Sequence, residues 1–280
     1  MTKQNIFIFI LVAFSLSSLS QENMIKGEEA WSKRATNYEN GIVDPTYVQA
    51  AIDAFEAEIT ENPNNIKAHA KLMEAYYFKG DFVAKDVATK KEIYDRGLVI
   101  SRKAFGKLTQ GKDSDDMKPK ELADLIKDNP DAASVCFWTS VMWGLWGDNF
   151  GTFQAAKKGV AGKIRNYAEA TNILDETGYD AGGYRMLGRL HTLAPKIPFF
   201  TGWINRDKAI KFLEKANSIS TKEPLNRFYL AEALLKFENK RKAEALKILE
   251  ELAGMEASDL NKVEDSSAIM KAKNLLMESK

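Results

Sequence analysis

The chain has one cysteine, Cys136, and two histidines, His69 and His191, in 280 residues. A single thiol cannot close a disulfide within the chain, so the fold must be held by its core. Neither histidine has a HExxH spacing, a cysteine pair or a carboxylate cluster beside it, so no metal site and no cofactor are expected. An excess of charge is missing as well. Forty Lys and Arg stand against 39 Asp and Glu. Nothing is left over to neutralise phosphates, and nucleic acid is not an expected partner.

Long apolar runs are scarce. The clearest covers residues 6–14, with Lys3 before it and Ser18 and Ser20 after it. That pattern predicts a secretory signal peptide over residues 1–20, cleaved before Gln21. The run is short for a membrane span, and no second one follows, so no membrane span is expected after cleavage. No cysteine stands at the cleavage point, which leaves out the usual bacterial lipid anchor. Removing Lys3 with the leader takes the basic count from 40 to 39, against 39 acids, for a net charge of zero. The expected location is the periplasm or the cell exterior.

Catalytic signatures are absent too. There is no Gly-rich phosphate loop and no Gly-x-Ser-x-Gly elbow. "KDSDDMKP", with acids at 113, 115 and 116, lacks the glycine and distal glutamate of a calcium loop. Cys136, in "ASVCFWTSVMW", has no basic neighbour and reads as a buried thiol rather than a nucleophile. The chain is therefore expected not to be an enzyme. A catalytic site would need residues gathered from distant parts of the fold.

What the sequence does have is helical periodicity. Val48, Ala51, Ile52, Phe55 and Ile59 recur at threes and fours, and so do Ile66, His69, Leu72, Met73 and Tyr76, with Gly80 as a stop. Pro45, Pro119, Pro130 and Pro224 stand where helices can begin, because a first-turn N–H needs no partner. No sustained alternating run predicts a strand. The expected fold is all-α: ten to thirteen helices in one domain over residues 21–280, arranged as tetratricopeptide-like hairpins in a compact α-solenoid.

The repeat register can be laid out. With Pro63 at position 32 of the 34-residue unit, Ala51 falls at 20 and Phe55 at 24; the next unit has His69 at 4, Leu72 at 7 and Tyr76 at 11. With Tyr184 at position 4, Leu187 and Gly188 fall at 7 and 8 and His191 at 11. Ala209, Leu213 and Ala216 keep the 20-24-27 spacing but arrive about nine residues late, after the insertion "LAPKIPFFTGW".

Two stretches are candidates for binding. "SVCFWTSVMWGLWGDNF" is apolar nearly all round, as a central helix would be, and gathers three of the five tryptophans. Trp138, Met142, Leu145 and Asn149 share one face, and Trp143 and Trp146 lie on others. The helix reads either as core or as one wall of an apolar pocket, with Asp148 and Asn149 at the mouth and Trp138 and Trp146 as candidate contacts. In "GGYRMLGRLHTLAPKIPFFTGW", Arg185 and Arg189 share a face distinct from that of Tyr184, Leu187 and His191. Two prolines then carry Phe199, Phe200 and Trp203. This loop reads either as a lid sealing the solenoid or as a surface for a ligand or partner, with an arginine meeting a carboxylate.

These residues carry a family resemblance. "FWTSVMWGLWGDN" followed by "YDAGGYRMLGRLHTLAPKIPFFTGWINRDKAIKFLEKA" resembles the T-component proteins of bacterial TRAP transporters, the periplasmic tetratricopeptide proteins often called TatT. The specific part covers roughly residues 130–220. The resemblance implies degenerate helical repeats and a role beside a periplasmic solute-binding protein, the P-component. That partner passes organic acids or other small ligands to a membrane permease. Members are often lipid-anchored, and this chain departs from them in lacking the anchor cysteine. The expected function is a non-enzymatic binding protein that associates with a solute-binding protein and takes a small hydrophobic or carboxylate ligand. A general repeat scaffold for cell-envelope proteins is the alternative, and homo-oligomerisation stays open.

Overall fold

A computed structural model describes residues 22–198 and 201–279. The expected signal peptide, residues 1–20, lies outside the described residues, and so do Phe199 and Phe200. The described residues form thirteen α-helices and no sheet. The first, α1, covers residues 22–32. It is followed by α2 (Pro45–Glu61), α3 (Ile66–Phe78), α4 (Val87–Leu108), α5 (Pro119–Ile126) and α6 (Ala132–Phe150). Then come α7 (Thr152–Lys157), α8 (Val160–Leu174), α9 (Gly178–Leu193) and α10 (Arg206–Ile219). The last three are α11 (Pro224–Phe237), α12 (Lys242–Ala253) and α13 (Lys262–Ser279). Among the described residues, no helix is long and apolar enough to cross a membrane.

Local chemistry sets the boundaries. Pro45, Pro119 and Pro224 each occupy the first helical position. Pro130 does not; it lies in the turn before α6, which begins two residues later. Asp44, Asn65, Asp86 and Asn205 cap their helices by accepting a backbone N–H of the first turn. Gly80 is not the expected stop. The chain runs from α3 into one π-helical turn, Lys79–Val83, and Gly80 is buried inside it. A Cβ at Gly80 would lie 2.5 Å from the ring of Tyr94, so its role is close approach rather than termination.

Much of the chain packs helix on neighbouring helix, as a solenoid of hairpins requires: α2 on α3, α3 on α4, α8 on α9, and α9 through α13 in order; the short α5 packs instead on α8, and α4 on α6. The apolar α6 is central and touches α3, α4, α8 and α9. The expected close contact at Gly188 is present. A Cβ there would lie 2.4 Å from Leu213 Cγ and 3.3 Å from the Ala209 carbonyl oxygen.

The two ends of the row meet. Arg34, just after α1, is buried; its Nε donates to Glu264 at 2.9 Å and its Nη2 to the Leu260 carbonyl at 2.9 Å. A further bond reaches Asn261 Oδ1 at 2.9 Å. These bonds span more than 220 residues of sequence and close the solenoid around a central cavity.

Candidate functional site

The cavity has a volume of about 340 Å³. Its aromatic wall comes from four elements: Trp31 on α1, Tyr77 on α3, Phe82 on the π-turn, and Phe137 and Trp138 on α6. Tyr77 and Trp138 lie 5.4 Å apart between ring centroids, and Phe82 stands edge-on to Tyr77 at 5.7 Å. The Trp138 side chain is 5% exposed. Tyr179 on α9 joins this wall, its ring 5.4 Å from that of Trp138, and Tyr229 on α11 and Glu264 on α13 also line the cavity.

A backbone irregularity delivers Tyr179. Tyr179, Asp180 and Ala181 have φ of 52°, 56° and 59°, one turn of left-handed helix at the start of α9. L-residues reach this region at a cost of about 1–2 kcal/mol each, so the turn persists only where its surroundings hold it. Arg185 supplies that hold. Its Nη2 donates to the Tyr179 carbonyl at 3.1 Å, and its Nη1 donates to the Asp180 carbonyl at 3.2 Å and to Asn226 Oδ1 at 2.9 Å. The turn lays the Tyr179 ring flat on Phe137, centroids 4.4 Å apart and planes 14° apart.

The expected site residues separate into groups. Trp138, Arg185 and Arg189 do line one cavity. Both guanidinium groups are already engaged, however. Arg185 holds the left-handed turn, and Arg189 pairs with Glu232 while lying over the Tyr229 ring at 4.4 Å. Trp146 is turned elsewhere: its N–H donates to Asp95 at 2.7 Å and its ring stacks on Phe150 at 4.1 Å. Eight residues along a helix rotate a side chain by about 80°, which separates Trp146 from Trp138. Asn149 bonds the Leu145 carbonyl of its own helix at 2.8 Å. Tyr184 stacks against Phe212 of α10, and its hydroxyl donates to Glu176 at 3.2 Å. Trp203, half-buried, stands edge-on to His191 at 5.5 Å with Arg165 over its ring at 4.4 Å. The described part of the insertion folds back on α9, and the Asn205 N–H donates to His191 Nδ1 at 3.1 Å.

Asp81 and Phe82 sit on the π-turn and face the cavity, a placement that periodicity could not predict. Asp148 and Arg189, with Gly144 and Met186, also line a second cavity of about 290 Å³. Its walls add small residues such as Gly147, Ala155 and Ala156. The two spaces therefore adjoin at a waist flanked by Asp148 and Arg189.

The charged lining is unbalanced. Seven of the lining residues are Asp or Glu, and three are Arg or Lys. Asp148 keeps solvent access, yet the surrounding protein strips enough water to raise its carboxyl above the ordinary value, against the pull of Arg189. Burial likewise raises Glu223, which also caps α11 through the Leu225 N–H at 3.1 Å. Burial raises Glu264 despite its bond to Arg34, and the second carboxylate oxygen of Glu264 is buried with no hydrogen-bond partner among the described residues. Neither a protein-family model nor a curated protein matches this chain.

Proposed function

We propose that the protein is a non-enzymatic, exported helical-repeat binding protein of the TatT type. It associates with a solute-binding protein and holds a small ligand with an apolar body in its central cavity. The observation that carries this reading is the closed ring: the Arg34–Glu264 clasp joins the turn after α1 with α13, the last of the described helices, around an aromatic cavity. A concave, largely preformed space with an apolar wall and a few converging polar groups is the usual form of a small-molecule site. The order of the Trp-rich helix, the "GGYRMLGRL" helix and its aromatic insertion supports the family reading.

A general scaffold that grips peptides would present an open concave groove. The clasp closes that side of the solenoid, which favours a small ligand inside. Affinity purification of the tagged protein from native periplasm tests the partner. The expected result is recovery of one solute-binding protein, weakened by Trp203→Ala. Recovery of no solute-binding protein contradicts the reading.

A further inference from the structure

The two arginines expected to meet a carboxylate ligand are both engaged, and the remaining lysine among the lining residues, Lys271, is exposed on the last helix. The carboxylates are less fully engaged. Among the described residues, Asp81 and Asp148 make no hydrogen bond or salt bridge, and one buried oxygen of Glu264 is unmatched. Asp81 is presented by the π-turn beside Phe82, and Tyr77 and Trp138 complete an aromatic wall near it.

An anion entering this space would find acidic groups and no free guanidinium. A cation would find carboxylates without hydrogen-bond or ion-pair partners, and aromatic faces whose quadrupole attracts positive charge. The geometry points to a small organic cation as the ligand of the central cavity: an ammonium group held between Asp81 and Asp148, with its apolar body against Tyr77, Phe82 and Trp138. This deepens the binding-protein reading and rests on it.

The test uses the tryptophans that line the cavity, Trp31 and Trp138, as reporters. The full mature chain is titrated with phenethylamine, 3-phenylpropionate and 2-phenylethanol, three probes that share a ring and differ in charge. Phenethylamine is expected to quench the fluorescence saturably and to bind at least about tenfold tighter than either counterpart. Asp148→Asn and Asp81→Asn should each weaken phenethylamine by about tenfold and leave 2-phenylethanol unchanged. Thermal melts of both variants confirm that they are folded. Tighter binding of 3-phenylpropionate, no saturable binding of the amine, or amine binding indifferent to both substitutions overturns the proposal. Copurification of the solute-binding protein, read separately, distinguishes a wrong ligand class from a wrong function.

Discussion

Arg185 and Asn226 meet at 2.9 Å, and each also donates to the carbonyl oxygen of Asp180, at 3.2 Å and 2.8 Å. Between them they hold the left-handed turn that carries Tyr179 into the cavity wall. Arg185→Lys keeps the charge but loses the planar fork. It is expected to cost about 2–3 kcal/mol, because strained carbonyls lose charge-assisted donors. Urea denaturation measures this. A loss below about 0.5 kcal/mol would mean that the turn is held by other contacts.

Gly188 is expected to tolerate no side chain. Gly188→Ala would bring a Cβ to 2.4 Å from Leu213 Cγ and should cost about 1–3 kcal/mol through overpacking. Leu213→Ala, which empties a fully buried site, should cost about 2–5 kcal/mol. In the double variant the new methyl enters the space that Leu213 vacated. The combined loss should therefore be smaller than the sum by about 1 kcal/mol or more in a double-mutant cycle.

His191 makes stability depend on pH. Burial, with Lys208 and Arg165 adding to it, lowers its pKa from 6.5 to about 4. The unfolded chain then binds the proton more tightly than the folded one. The contribution of His191 is complete above about pH 6.5 and is lost as pH falls towards 4. The loss is roughly 3 kcal/mol at 1.36 kcal/mol per pH unit. Protonation also removes the Nδ1 acceptor from the Asn205 N–H, which helps fasten the insertion to α9. His191→Gln should narrow the difference in unfolding free energy between pH 7 and pH 4. An unchanged difference would place the acid sensitivity elsewhere.

The Arg34 clasp is expected to hold the ring shut. The Arg34 side chain is 5% exposed and that of Glu264 is 18% exposed. Arg34→Ala leaves a buried carboxylate without its cation and should cost about 3 kcal/mol or more. Hydrogen exchange should quicken first in α13, whereas α6 and α8 should keep their protection. Uniform exchange throughout the chain would mean that the ends are joined by other means.

Much of this was legible in the sequence. Threes and fours in the apolar positions marked the helices, and the repeat register put Gly188 where two helices touch. Arg185 and Arg189 do face away from Tyr184 and His191. Their partners were not legible, because Asn226 and Glu232 are contributed by another helix about forty residues later. The π-turn at Lys79–Val83 left no mark, since an extra residue in a helix has no composition of its own. The left-handed turn was hidden for a related reason: Tyr179, Asp180 and Ala181 contain no glycine to announce it. The acidic character of the cavity arises from single residues on several elements. No local motif carries it.

On the proposed function, the ring encloses a small molecule. Gly144 lies on the wall between the two cavities, and a Cβ there meets only Met186 Cε at 3.5 Å, an ordinary contact. Gly144→Leu should extend a side chain from that Cβ into the waist and fill it, with a thermal melt to check that the variant folds. Native mass spectrometry of protein isolated from its native cells should show a small noncovalent adduct on the wild type and none on Gly144→Leu, with equal thermal stability. A bare wild-type chain, or an adduct held equally by the filled variant, would contradict the proposed function.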